Sequence, residues 1–287
     1  MNVTKIDAAY AKKLLPPRKG DGHKGDFGKV LVIGGSVGYT GAPVFAANAA
    51  VRGGCGLVFL AVPQCVYPIV AARCDSAMPF PLPSDDTHFS MEALAPLVEH
   101  AEKCDCVALG CGMGRSEGAD ALVRALLTQL ACPVVLDADG INAIAGHIDV
   151  LDARRDRVTI LTPHEGEFLR VGGDLSKGRA AAAQEFAKTH GCTLVLKGAG
   201  TIVAASDGTL AENTSGNCGM AKGGSGDVLT GLVAALLAQG ADAFSASALG
   251  VWLHGSAGDT AAERHTQYAM TPNDMLSCFG AAFSEIV

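Results

Sequence analysis

Between residues 29 and 190 the chain alternates short, almost wholly apolar runs with alanine-rich stretches, and no other feature limits its fold as tightly. The apolar runs are KVLVIGG (29–35), GLVFLAV (56–62), CVALG (106–110), PVVLDAD (133–139) and VTILTPH (158–164). They are too short for helices and apolar at nearly every position, as strands buried on both faces must be. GAPVFAANAAVRGG (41–54), MEALAPLVEHAEK (91–103), GADALVRALLTQL (118–130), EGEFLRV and SKGRAAAAQEFAKTHG read as the helices between and after them. Such alternation builds a parallel sheet covered by helices on both faces. From 193 to 217 three short strands separated by Gly and Asp-Gly turns read as antiparallel. The remainder is helical: SGDVLTGLVAALLAQG, a stretch through Trp252 to His265, and a last helix from about Asn273. With no linker or repeat, one domain is expected over residues 25–287, after a lead segment of residues 1–24.

Composition narrows the function classes. Hydrophobic residues make up 49% and charged residues 18% of the 287, enough apolar material for a large core. A net charge of −7 with no dense basic stretch argues against a nucleic-acid partner, while leaving room for a local phosphate site. Neither a signal-peptide core nor a membrane-length apolar run is present, so a soluble cytoplasmic protein is expected. Ten scattered cysteines form no C-x-x-C pair. The one grouping, His100, Cys104, Cys106 and Cys111, reads as buried thiols rather than a zinc site.

The glycine-rich segments follow the strands, where open α/β sheets bind ligands. Gly223-Gly224-Ser225-Gly226-Asp227 precedes an apolar helix. Glycines there let consecutive N–H groups face an anion at the positive end of the helix dipole. Asp227, in the first turn beside that anion, is placed to take a proton from a hydroxyl attacking a phosphoryl group. The bland alternative is that Ser225 or Asp227 caps the helix. Gly34-Gly35-Ser36-Val37-Gly38-Tyr39-Thr40-Gly41-Ala42 lacks the G-x-G-x-x-G spacing of dinucleotide-binding dehydrogenases but suits close backbone approach to a ligand. Gly110-Cys111-Gly112-Met113-Gly114 is by default a structural turn. The same holds for Lys197-Gly198-Ala199-Gly200-Thr201, save that its lysine can meet phosphate. Thr162-Pro163-His164-Glu165-Gly166-Glu167 gathers ionisable groups at a strand end, either for function or as a Thr162-capped helix start. Asp137 and Asp139 either hold a metal-bound water network or cap the next helix. His254 and Asp259 read as packing and surface residues.

GDFGKVLVIGGSVGYTGAP, GCGMG, VLDADGIN, LTPHEGEF, LKGAGT, NCGMAKGGSGDVLTG and WLHGSAGDTAA occur in that order from Gly25 to the C-terminal region. Together they resemble the NAD(P)H-hydrate dehydratases of the ribokinase-like superfamily. The resemblance implies a three-layer α/β/α sandwich with a mostly parallel central sheet and some antiparallel edge strands. It implies repair of NADHX and NADPHX, the hydrated cofactors, by nucleotide-dependent phosphorylation of the C6 hydroxyl and loss of phosphate. ADP is the expected donor, with ATP the eukaryotic alternative and Mg²⁺ as cofactor. Asp227 would be the base, with Gly224, Ser225 and Gly226 as the anion hole. Lys197, Gly198, Ala199, Gly200, Thr201 and Gly226 would contact the nucleotide. Ala42, Gly112, Gly114, His164 and Asp227 would contact the hydrated dinucleotide, and Glu167 would order Mg²⁺ through water. A homotetramer is expected, working with a separate epimerase because no epimerase domain is fused here. The chain departs from the family at Cys111, where proline is frequent, and at Lys222, where threonine is; Lys222 is expected beside the anion hole. A kinase for a thiazole or hydroxymethylpyrimidine alcohol is the alternative.

Overall fold

The computed structural model describes residues 2–287. Its ten strands are β1 (Thr4–Ile6), β2 (Lys29–Ile33), β3 (Leu57–Pro63), β4 (Met78–Leu82), β5 (Cys106–Leu109), β6 (Val134–Leu136), β7 (Thr159–Leu161), β8 (Thr193–Leu196), β9 (Ile202–Ala204) and β10 (Leu210–Asn213). Its α-helices are α1 (Ala8–Leu14), α2 (Gly41–Arg52), α3 (Tyr67–Ala71), α4 (Leu94–Ala101), α5 (Glu117–Gln129), α6 (Asp139–Ala143), α7 (Asp149–Asp152), α8 (Glu165–Arg170), α9 (Arg179–His190), α10 (Ser225–Ala238), α11 (Ala243–Ala269) and α12 (Pro272–Ser284).

All strands join one sheet in the order β1-β10-β9-β8-β7-β6-β5-β2-β3-β4. Side chains alternate across it, as the period of two demands. Val30 and Val32 of β2 enter the core formed with α2, α10, α11 and α12, while Leu31 and Ile33 enter the one formed with α4, α5 and α9. The result is the expected three-layer α/β/α sandwich.

Three details correct the sequence reading. The antiparallel character over 193–217 resides in β9 alone: β8 and β10 are antiparallel to β9, and β8 is parallel to β7. That strand is interior, since β10 and β1 lie outside it. The lead segment is built into the domain, because β1 pairs in parallel with β10 and Ile6 and Ala11 are fully buried. The other edge strand, β4, reads MPFPL and was not expected; its prolines lack the ladder N–H, which an edge tolerates.

Chain order reverses at β2. β3 and β4 are added on one side of β2, and β5 through β8 on the other. In open α/β sheets such a reversal marks the usual place for a ligand, and here the segments 34–42 and 110–114 come together at it. Gly34 has no room for a side chain against the Cys111 carbonyl, and Gly35 N–H donates to that carbonyl at 3.0 Å.

Helix α10 is the next fixed point. It carries the candidate base and packs on α2 so closely that a Cβ at Gly231 would fall onto the Ala46 carbonyl. Gly231→Ala should therefore cost about 2 kcal/mol or more, since overpacked cores lose 1–3 kcal/mol and the opposing group is backbone. The midpoint of urea unfolding measures it; an unchanged midpoint would show that the two helices can part freely.

Candidate active site

The centre is a buried ion pair. Asp137, just after β6, is 1% exposed and receives Lys197 Nζ at 2.8 Å and Thr230 Oγ1 at 2.7 Å. Lys197 follows β8 and Thr230 stands on α10, so one carboxylate ties two strand ends to the helix. Burial alone would raise Asp137, but the Lys197 ammonium and the hydroxyl donors hold it below the usual carboxylate range. Lys197 itself would be lowered by burial; the charges of Asp137 and Glu167 hold it above its ordinary value. Both members therefore stay charged. The next residue, Ala138, has φ 50° and ψ −117°, a conformation rare outside glycine. That turn follows the buried Asp137, and Asp139 beyond it accepts from Gly114 N at 2.9 Å.

Asp227 lies in the first turn of α10 and shares this centre. Burial first, then the negative charge of Asp137, push its carboxyl up to about 7. Among the described residues, its carboxylate takes none of the close N–H or O–H hydrogen bonds that hold Asp137. The amides of Gly224 and Gly226 likewise make no hydrogen bond among the described residues. Gly224 starts the helix with φ +100°, and a Cβ there would stand 2.8 Å from the Phe45 ring. A Cβ on Gly226 would stand 3.2 Å from Lys197 Nζ and 3.7 Å from Asp137 Oδ2. Free amides at a helix start, an ammonium and a carboxylate without a close N–H or O–H partner thus converge on one point.

Ser225 is placed differently from expectation. Its hydroxyl is buried against Met275 Sδ at 3.8 Å, and its N–H donates to the Lys222 carbonyl at 3.2 Å. His254 Nε2 lies 2.9 Å from the Ser225 carbonyl; burial pushes this imidazole down to about 4, so it is a neutral donor bracing the loop. Lys222 does not face the anion site. Its ammonium donates to the carbonyls of Tyr268 at 2.7 Å and Met270 at 2.5 Å, capping the end of α11.

The remaining candidates sit on neighbouring strand ends. Gly112 has φ +65°, and a Cβ there would meet Ala42 Cβ at 2.8 Å, so the two segments pack directly against each other. A Cβ on Gly114 would stand 2.6 Å from His88 Nε2, a neighbour that sequence reading missed. His164, not Thr162, caps α8: its Nδ1 accepts from Gly166 N at 3.0 Å, and Glu167 returns the contact to His164 N at 2.9 Å. Glu167 is buried, 3.9 Å from Lys197 Nζ. In the 198–201 loop Thr201 Oγ1 donates to Gly198 O at 2.9 Å. Arg179, also missed, donates to the carbonyls of Leu196, Lys197, Ala199 and Gly200 at 2.8–3.2 Å, fixing the whole loop from α9. Asp259 accepts from Gly216 N and Asn217 Nδ2 and is structural. All ten cysteines are free thiols, with Cys218 exposed and Cys111 buried.

Asp227 is held at a cost to the fold. Because its carboxyl is raised in the folded state, the folded chain binds this proton more tightly than the unfolded chain. Its contribution to stability therefore falls as pH rises from about 4 to about 7 and is flat above. Asp227→Asn should match the parent near pH 4 and exceed it by on the order of 3–4 kcal/mol at pH 8. Equal stabilities at pH 8 in denaturant titrations would contradict this account.

Known proteins match this architecture. The family model for NAD(P)H-hydrate dehydratase matches residues 30–279. A bifunctional NAD(P)H-hydrate repair enzyme of Moorella thermoacetica is 42% identical over 276 residues, 94% of this chain and 52% of that protein. The chain spans about half the length of the bifunctional relatives it matches. The ADP-dependent (S)-NAD(P)H-hydrate dehydratase of Neisseria meningitidis is 37% identical over 86% of this chain and 81% of its own length. The crystal structure of the ADP/ATP-dependent NAD(P)H-hydrate dehydratase of Bacillus subtilis, co-crystallised with ATP/Mg²⁺, superposes with a TM-score of 0.83 at 28% identity, covering both chains fully. The hydroxyethylthiazole kinase of Pyrococcus horikoshii shares the fold alone, at a TM-score of 0.61 and 16% identity. With the family model spanning most of the sandwich and the strand-end loops at its centre, the chain belongs to the NAD(P)H-hydrate dehydratase family.

Proposed function

We propose that the chain is a cytoplasmic repair enzyme that converts the S epimer of NADHX or NADPHX to NADH or NADPH at the expense of ADP. The observation that carries this reading is the juxtaposition of the raised Asp227 carboxyl, which has no close N–H or O–H side-chain partner, with the free amides of Gly224 and Gly226 and the Lys197 ammonium. This set suits phosphoryl transfer to a hydroxyl, where positioning and charge stabilisation supply most of the rate.

Asp227 takes the proton of the C6 hydroxyl while that oxygen attacks the terminal phosphoryl group of the nucleotide. The new P–O bond forms as the bond to the remaining nucleotide breaks, and the amides and Lys197 meet the charge on the transferring group. Phosphate then leaves C6 with the C–O electron pair, pushed by the ring nitrogen lone pair. Loss of a proton from C5 restores the dihydropyridine.

Strand order supports a division of the cleft. Ala42, Gly112, Gly114 and His164 lie at the ends of β2, β5 and β7, three strand spacings or about 14 Å across. That span suits an extended dinucleotide. Gly198, Ala199, Gly200 and Thr201 lie beyond, after β8, for the donor nucleotide, and Asp227 stands beside Asp137 at the end of β6, within the dinucleotide span and near Lys197. The residues fit Mg²⁺ brought in on the nucleotide, since buried Glu167 offers hard oxygen through water; the ion would supply charge neutralisation. A homotetramer belongs to the same proposal. So does a separate epimerase that supplies the S form, an activity class consistent with the bifunctional relatives.

Purified protein given hydrated NADH, Mg²⁺ and ADP should restore NADH absorbance. Failure with both ADP and ATP, from protein that still binds nucleotide, would sink the reading. Asp227→Asn should lower kcat about 10³-fold. In the parent, kcat/KM should rise with pH through about 7, because only the ionised carboxylate accepts the proton. Gly226→Val, whose side chain would meet Lys197 and Asp137, should weaken ADP binding at least about tenfold by calorimetry.

A further inference from the structure

We propose that Cys111 is a positioning residue for Asp227: its buried S–H faces the carboxylate and holds it as a proton acceptor at the mouth of the anion site. The inference rests on Asp227 being the base. Cys111 is 1% exposed, and its sulfur lies within 4.8 Å of carboxylate oxygens of both Asp137 and Asp227. The two acids differ in need. Asp137 already has Lys197 Nζ and Thr230 Oγ1, whereas among the described residues the Cys111 thiol is the uncommitted side-chain X–H group lying beside Asp227.

The thiol is also well anchored. The Cys111 carbonyl receives Gly35 N–H at 3.0 Å, and the Gly34 backbone packs so close to it that no side chain would fit between them. The sulfur is thus fixed to the junction of β2 and β5, while Asp227 is fixed to α10. Donation runs one way. Burial, then the charges of Asp227 and Asp137, keep the thiol well above its ordinary range, so it stays protonated. The other titratable groups facing Asp227 are Asp137 from β6 and Lys197 from β8, with Glu167 behind the lysine. Neutral His254 of α11 is occupied by the Ser225 carbonyl. None of them replaces an S–H donor.

The test titrates the Asp227 carboxyl by infrared difference spectroscopy of the ligand-free protein, with Asp227→Asn identifying its band. Cys111→Ala should raise the midpoint by about half a pH unit to one unit, since a thiol is a weak donor and its loss favours the neutral acid. Cys111→Ser, which keeps an X–H donor, should return it to within about 0.3 unit. Cys111→Val covers the case in which water fills the alanine cavity and should shift like alanine. The acidic limb of kcat should move in parallel, with KM for the nucleotide changing less than about twofold. An unchanged midpoint in both the alanine and valine variants, or a serine shift as large as theirs, would overturn the proposal. The infrared readout needs no turnover, so the two readings fail separately. An active Asp227→Asn enzyme removes the base, whereas an inactive one with an unmoved Cys111→Ala midpoint removes only the role of the thiol.

Discussion

The Lys197–Asp137 pair is the interaction on which the site depends. A buried charge is tolerable only when paired and hydrogen-bonded, and this one meets both conditions with Lys197 and Thr230. Because its members come from the ends of β6 and β8 and the third partner from α10, satisfying one carboxylate sets the distance between sheet and helix. Everything else in the centre is placed relative to it. Gly226 faces the pair directly, since a Cβ there would stand 3.2 Å from Lys197 Nζ and 3.7 Å from Asp137 Oδ2. Glu167 is drawn towards the same ammonium from α8.

That pair also sets the chemistry. Its lysine is committed to Asp137, so the second carboxylate, Asp227, sits in a buried place beside a fixed negative charge. The same geometry that destabilises an ionised Asp227 raises its affinity for a proton into the range a general base needs near neutrality. With Asp227 as the proposed base, stability and reactivity are opposed at one residue, as at many functional sites. The glycines of the α10 start leave the amides uncovered, and Arg179 and His254 brace the surrounding loops through their backbone carbonyls.

Much of this was legible in the chain. The alternation of apolar runs located most of the strands, and the turn-rich 193–217 stretch correctly marked a change of direction. The proline-broken β4 and the three-residue β1 escaped it, because edge strands need neither a long apolar run nor a full set of ladder donors. Asp227 and the free amides of the GGSGD segment could be named from residue type and position before a helix. Ser225 could not be assigned, since whether a serine at a helix start faces the ligand or the core depends on what packs beside it, here Met275. Lys222 misled for a similar reason: four residues before Gly226 in sequence, it reaches away to the end of α11.

What the sequence by itself determined is the layer architecture, the strand-end location of the site and the chemical character of its loops. These follow from periodicity, from glycine before a helix and from acids at strand ends, which act over a few residues. Only the tertiary structure decided which charges meet. Asp137 and Lys197 are sixty positions apart, and Cys111 and Asp227 still farther. Their pairing is dictated by strand order and by the close seat of α10 on α2. The proton affinity of Asp227 is a property of that assembly, because burial and a neighbouring charge exist only once the sheet has brought them together.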